Sequence, residues 1–213
     1  MKPKRIILIR HGQSEANHDW AVYESIQTHK VKLTAEGVKQ SIQAGKELKK
    51  IIKNESIHFY ISPYTRTRET FEGLLELLGS NKYKVYEEPR LREQDAGHFR
   101  DKEVYLKNKK LRENYGKFYY RFPEGESGAD VYDRVSTFLE TMHRDFQKKD
   151  FPRNVIIVTH GLTMRLFLMR WFHLKVEEYE ASTDPKNCEF ILLSKNKSGR
   201  YEIKDGSYEG FRK

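Results

Sequence analysis

Three short stretches of the chain are apolar and β-branched, with polar residues only at their ends. Residues 5–10 (RIILIR), 57–62 (IHFYIS) and 154–159 (NVIIVT) predict strands, and the first and third read as buried on both faces. A helical pattern follows each of them. Over 33–52, Val38, Ile42, Gly45 and Leu48 recur at helical spacing behind Thr34, a residue suited to the N-cap. Residues 65–78 predict the second helix, and 162–172, apolar nearly all round, predict one packed under the sheet. A further helix over 129–146 carries Val131, Val135, Phe138, Leu139 and Met142 at the same spacing. Late strands over 189–194 and 201–204 flank KNKSG as a hairpin turn. Residues 80–128 have the weakest periodicity and two proline turn signals, Glu88-Pro89 and Phe122-Pro123, and predict a long excursion over the sheet with a lid at about 95–128. Strands alternating with helices predict an α/β fold with a largely parallel sheet, in one domain over 1–213.

Composition narrows the classes. Charged residues are 33% of the 213, giving a polar surface, while aromatics at 13% argue against disorder, which is poor in them. No apolar run approaches the roughly 20 residues of a membrane helix. The apolar stretch near the start, IILI, is too short for a signal-peptide core. A lone cysteine, Cys188, makes no internal disulfide and reads as a small core residue, so a reducing, cytoplasmic setting is expected. The net charge is +9, from 40 Lys+Arg against 31 Asp+Glu. The lysines are scattered among acids (KELKK, KNKK, QKKD) rather than gathered in one block. That predicts a solvated basic surface that attracts small anions, with no specific nucleic-acid partner.

Parallel sheets place ligands outside the carboxyl ends of their strands. The first predicted strand runs into Arg10-His11-Gly12, the second into Ser62-Pro63-Tyr64-Thr65-Arg66, and the third into His160-Gly161. Two histidines and two arginines therefore gather at one sheet edge, beside helix N-termini whose free N–H groups favour anions. The chemistry this suits is phosphate transfer. Arginine forks bind phosphate bidentately. A neutral imidazole attacks phosphorus, a second, protonated histidine stabilises the equatorial oxygens, and an acid protonates the leaving oxygen. The eight histidines show no HxH or HExxH spacing, so no metal site is expected.

The stretch Leu8-Ile9-Arg10-His11-Gly12-Gln13-Ser14-Glu15-Ala16-Asn17 resembles the signature of the histidine phosphatase superfamily, which includes cofactor-dependent phosphoglycerate mutases. Further blocks resemble the family's in the same order: Leu33-Thr34-Ala35-Glu36-Gly37, Ser62 through Arg66 to Thr70, Leu91-Arg92-Glu93 with Gly97, and Val158-Thr159-His160-Gly161. The resemblance implies a three-layer α/β/α sandwich of the phosphoglycerate-mutase-like type. It implies His11 as the phosphorylated nucleophile, with Arg10, Arg66 and His160 completing the phosphate pocket. Glu93 is implied as proton donor and later activator of water. Asn17 and the Gly161 backbone are implied to hydrogen-bond the substrate, and Gly12, Ser14, Ser62 and Leu162 to line its site. Lys32, where many relatives have a carboxylate or small polar residue, leaves that part of the pocket unassigned.

The mutases of this family resemble one another in a Glu-Arg-His-Tyr-Gly stretch and a downstream Arg-Arg pair that hold a glycerate carboxylate. Here the first is Glu93-Gln94-Asp95-Ala96-Gly97, and only isolated Arg100, Arg112 and Arg121 follow. Residues 91–99 (LREQDAGHF) and 118–140, with Gly125-Glu126-Ser127, resemble the broad-range acid phosphatase branch instead. The expectation is a metal-independent, cofactor-free phosphatase acting on small phosphorylated metabolites, with a mildly acidic optimum. The alternatives are a mutase primed by 2,3-bisphosphoglycerate, and a basic phosphate-recognising module without catalysis. A homodimer is compatible with the resemblance. Tyr115, Phe118, Tyr119, Tyr120 and Phe122 read either as a pocket lining or as a packed lid base. His18, His29, His58, His98, His143 and His173 lack motif support and read as structural or surface residues.

Overall fold

The central strands are apolar at nearly every interior position, so neither of their faces can be left to water and helices must cover both. The computed structural model, which describes residues 2–97, 101–204 and 210, meets that condition with three layers. In chain order the elements are β1 (Arg5–Arg10), α1 (Glu15–His18), α2 (Val22–Ser25), α3 (Ala35–Ile52), β2 (Ile57–Ile61), α4 (Thr65–Leu78) and β3 (Tyr83–Glu87). Then come α5 (Lys102–Tyr115), α6 (Gly128–Asp145), β4 (Asn154–Thr159), α7 (Gly161–Phe172), α8 (Val176–Ala181), β5 (Phe190–Lys195) and β6 (Tyr201–Ile203).

The six strands lie in the order β3-β2-β4-β1-β5-β6. The first four are mutually parallel, and β5 and β6 form an antiparallel hairpin on β1. Side chains alternate between two cores. Ile6, Leu8, Val155, Ile157, Ile191 and Leu193 face α6 and α7. Ile7, Ile9, Phe59, Ile156, Val158 and Leu192 face α3 and α4. Nine consecutive residues of α7, 161–169, are buried, matching its all-round apolar sequence.

Three features differ from the sequence pattern. Helix α3 turns Gly37, Ser41, Ala44, Gly45, Leu48 and Ile52 inward, so Val38 lies outside the buried face and is 42% exposed. The small residues at these positions are what lets α3 lie close to α4. Residues 80–128 are not all excursion. They include β3, an edge strand exposed along its whole length, and α5, whose only fully buried residue is Asn108. Neither leaves a pattern in the sequence, because neither presents an apolar face to a core. Phe118 and Phe122 are buried while Tyr115 and Tyr119 stand in solvent. His98 and Arg100 lie outside the described residues. Among the described residues, no helix is long and apolar enough to cross a membrane.

His58, on β2, is 4% exposed, and neither ring nitrogen has a hydrogen-bond partner among the described residues. The rings of Tyr60, Tyr86 and Phe151 enclose it at 4.5, 5.0 and 4.9 Å. Burial pushes its pKa down to about 4, against a pull upward from Asp145 and a further push from Lys148 and Lys84. Because the unfolded chain takes up this proton near pH 6.5 and the folded chain does not, the contribution is present above that pH. It is lost as pH falls toward 4. Melting temperatures measured over this range are expected to fall more steeply for the wild type than for His58→Phe; parallel curves would contradict the assignment.

Candidate active site

The site follows from strand register. In the parallel pair β1–β4, Arg10 stands opposite Thr159, so the next residues, His11 and His160, are neighbours, and the His11 N–H donates to the Thr159 carbonyl at 3.0 Å. Their ring centroids are 5.2 Å apart. On the other side of β4, the Ser62 N–H donates to the Val158 carbonyl. That sets the Ser62 hydroxyl 2.8 Å from His160 Nε2. Arg66 enters from the first turn of α4. His11, His160 and Arg66 are 4, 0 and 3% exposed.

The hydrogen bonds fix the histidine tautomers. His11 Nδ1 lies 2.7 Å from the Gly12 carbonyl, an acceptor only, so Nδ1 carries the proton. Nε2 therefore presents its lone pair, toward which Arg66 Nε donates at 3.2 Å. The same guanidinium donates from Nη2 to His160 Nδ1 at 3.2 Å, so His160 carries its proton on Nε2, facing Ser62. The third arm of Arg66 holds the Thr28 carbonyl at 2.7 Å, and its plane lies over the Tyr64 ring.

Burial, then the Arg66 and Arg10 guanidiniums, hold the His11 pKa well below the ordinary range, with the Gly12 carbonyl opposing. Burial, Arg66 and His11 do the same to His160. Both imidazoles are thus held toward the neutral form. Two adjacent buried imidazoles beside two guanidiniums cannot both add charge.

Glu93 sits in the loop after a 3-10 turn at Pro89–Leu91. The Thr163 hydroxyl, in the first turn of α7, lies 2.9 Å from the Arg92 carbonyl and 3.3 Å from Glu93 Oε1. That oxygen also accepts from the Gln94 N–H. Burial raises the Glu93 pKa and the Asp184 carboxylate adds to it, against the Gln94 N–H, Arg66 and Arg10.

Arg10 donates from Nη1 to the Pro185 carbonyl at 2.6 Å, and its buried Nε has no partner among the described residues. Gly161 and Leu162 open α7, a helix without a side-chain cap, whose first N–H groups are left without intrahelical partners. The Leu162 side chain itself is in the core. Ser14 is the N-cap of α1, and its hydroxyl and the Asn17 carbonyl oxygen cap each other's backbone. Asn17 Oδ1 also accepts from Asn187. The candidate residues thus form one cluster, with Ser14 and Asn17 at its rim and tied to each other.

Several contributors were not singled out from the sequence. Thr70 is the most telling: its hydroxyl donates to the Arg66 carbonyl and accepts from the Gly12 N–H, bolting the His11 turn to α4. Asn187 Nδ2 and the Cys188 N–H both donate to the His11 carbonyl. Arg165 holds the incoming loop through Ser182, Asp184 and the Tyr179 carbonyl. Each is an ordinary residue whose partner is remote in sequence, so only the Ser62–Arg66–Thr70 spacing offered a signal. Gly12 and Gly37 are close-approach positions. A Cβ on Gly12 would lie 2.5 Å from the Gly37 carbonyl oxygen, and one on Gly37 2.1 Å from that of Gln13.

A cavity of 510 Å³ adjoins Arg66 and Glu93, walled by Trp20, Tyr23, Tyr64 and Tyr105, with His29 and Asp95 on its lining. None of the five aromatics of 115–122 lines it; Phe118 and Phe122 are packed in the interior, and Tyr115 and Tyr119 face solvent. A larger groove of 650 Å³ along α3, past Lys39, Gln43 and Lys186, reaches none of the candidate catalytic side chains. Among the described residues, no group of three or more His, Cys, Asp or Glu side chains is arranged to hold a metal ion.

Residues 6–204 match the model of the histidine phosphatase superfamily (branch 1). The chain belongs to this superfamily. It is 44% identical over 214 residues to the phosphoglycerate mutase-like protein AT74 of Arabidopsis thaliana, covering 94% of this chain and 68% of that one. It is 32% identical over 297 residues to the broad-range acid phosphatase DET1 of Saccharomyces cerevisiae, covering 95% and 89%. Among solved structures, a mycobacterial glucosyl-3-phosphoglycerate phosphatase shares the fold at a TM-score of 0.74 and 22% identity, over 94% of this chain and 97% of that one. YhfR of Bacillus stearothermophilus does so at 0.73 and 20%, over 98% and 99%. The superfamily's members thus include phosphatases.

Two outcomes are expected from the geometry. Nitrogen NMR should find His11 in the Nδ1–H tautomer and neutral through the mildly acidic range; an Nε2–H tautomer would overturn the assignment. Gly37→Ala should destabilise the fold by about 1–3 kcal/mol in urea denaturation and displace the His11 turn.

Proposed function

We propose that this protein is a phosphomonoesterase that hydrolyses small phosphorylated metabolites through a phosphohistidine on His11. The observation that carries the reading is the His11 tautomer: a neutral, buried imidazole whose Nε2 lone pair faces Arg66. When a phosphomonoester binds, its oxygens take the donors of Arg66, of Arg10 and of the first turn of α7. His11 Nε2 then forms a bond to phosphorus as the ester P–O bond breaks, and the leaving oxygen takes a proton from Glu93. The positive charge that develops on the imidazole is stabilised through Nδ1–H and the Gly12 carbonyl. In the second step the Glu93 carboxylate takes a proton from water, whose oxygen attacks phosphorus and releases His11. The negative charge brought by the phosphate raises the proton affinity of His160, which in the resting arrangement is neutral.

The likeness to a named broad-range acid phosphatase and the cavity beside Glu93, with aromatic walls and an acidic side chain at Asp95, support hydrolysis over return of the phosphoryl group to a bound glycerate. The test is purified protein on 3-phosphoglycerate with and without 2,3-bisphosphoglycerate, following isomer and free phosphate together, beside a panel of phosphomonoesters. Phosphate release abolished by His11→Ala is the expected result. Rapid isomerisation with little phosphate would replace the proposal with a mutase, and neither activity in a folded sample would replace it with a binding module.

The pH profile has a definite sign. The lowered His11 pKa keeps the nucleophile neutral into the acid range, and the raised Glu93 pKa keeps the donor protonated above the usual carboxylate range. A mildly acidic optimum in kcat/KM is expected, its basic limb lost in Glu93→Gln. A peak above about pH 8 would contradict the pairing.

A further inference from the structure

A general acid has to stand within hydrogen-bond reach of one particular oxygen, yet the loop that presents Glu93 belongs to no strand or α-helix. Its sheet side is held by threonines: Thr159 donates to the Leu91 carbonyl at 2.7 Å, and Thr163 to the Arg92 carbonyl. Its opposite side is held from α6 and the turn before it. Arg134 Nη1 donates to the Arg90 carbonyl at 2.6 Å and Nη2 to the Glu93 carbonyl at 3.2 Å, so one guanidinium grips both ends of residues 90–93. The remaining donors of that fork, Nε and Nη2, meet the two Glu126 oxygens at 3.0 Å each. Glu126 in turn pairs with Arg92, accepts from the Asp95 N–H at 3.0 Å, and through its own backbone bonds Asp95 and the Gln94 side chain. The step before it is flush with the loop: a Cβ on Gly125 would lie 2.5 Å from the Asp95 carbonyl oxygen.

We propose that Arg134 and Glu126 are positioning residues that set where the Glu93 carboxyl stands relative to the leaving oxygen. This rests on the reading of Glu93 as proton donor given above. The Gly125-Glu126-Ser127 step thereby acquires a distinct task for each member. Gly125 admits the loop, Glu126 locks it through Arg134, and Ser127 caps α6, the helix that carries Arg134. The pair is part-buried, with side chains 10 and 13% exposed. Removing Arg134 frees two loop carbonyls and leaves Glu126 to Arg92 alone, and removing Glu126 takes away the carboxylate that both arginines share. A lysine at 134 keeps the charge but has no planar fork, so it cannot hold two carbonyls and a carboxylate at once.

Leaving-group dependence separates this role from plain stability. A p-nitrophenolate departs without a proton, whereas the alkoxide of glycerol phosphate needs one. Wild type, Arg134→Ala, Arg134→Lys, Glu126→Gln and, as reference, Glu93→Gln are compared on both esters, with circular dichroism melts confirming folding. Relative to p-nitrophenyl phosphate, kcat/KM on glycerol phosphate is expected to fall by about 100-fold in Glu93→Gln. The same selective pattern, about 10-fold or more, is expected in Arg134→Ala and Glu126→Gln, with Arg134→Lys failing to restore the wild-type ratio. Glu126→Gln is isosteric and Arg134→Lys keeps its charge, so the comparison stands if Arg134→Ala does not fold. Equal losses on both esters in folded variants, with Glu93→Gln selective, would overturn the positioning role alone. A Glu93→Gln without selectivity, or hydrolysis that survives His11→Ala, would overturn the functional reading and this inference with it.

Discussion

The pairing of β1 with β4 is the constraint on which the site depends. Six consecutive residues of each strand are matched in parallel register, every one of the β4 residues is buried, and helices close both faces. A shift by one residue would turn each core side chain to the wrong layer. The same shift would separate His11 from His160. Core packing and active-site geometry are therefore one specification, and selection for either maintains the other.

That arrangement concentrates donors in a place with little water. Arg66 resolves the resulting conflict by acting as a hub: it donates to both imidazoles and to the Thr28 carbonyl. Its charge, with burial, keeps both rings neutral, and the rings in turn present it with acceptors. Positive charge is thus confined to the guanidiniums, which do not give up protons under physiological conditions. The titrating groups are left to respond to what binds. Glu93 stands in the opposite relation to the same field. Burial and Asp184 favour its neutral form while the guanidiniums disfavour it, so the same two arginines that favour a neutral His11 favour an ionised Glu93.

What the chain reveals on inspection follows the same physics. The buried strands and α3, α4, α6 and α7 were legible because each has a face, or a whole surface, that must leave water. The edge strand β3 and α5 have none. YKVYE is exposed throughout, and the apolar Val104, Leu106 and Leu111 of α5 point to solvent. At the site, His11, His160, Arg10 and Arg66 were legible from their places after strands. Glu93 came from family resemblance alone, since nothing in LREQDAG marks one acid among its neighbours. Thr70, Thr163 and Asn187 act through partners that only the fold supplies, and the reason for Gly37 is the carbonyl of Gln13 pressed against it.

The antiparallel run of β5 has a consequence for the order of assembly. Because β5 reverses direction beside β1, the loop that precedes it, not one that follows it, arrives at the catalytic edge. That loop supplies Pro185 to Arg10, and Asn187 and Cys188 to the His11 carbonyl. His11 leaves the ribosome some 175 residues before the groups that fasten it and its neighbour Arg10. Contacts of such separation form late, after the loop-closure entropy of the intervening chain has been met. A nascent chain therefore carries His11 in an unfinished setting until this loop is made, and the pocket closes around it only when the reversed strand takes its place in the sheet.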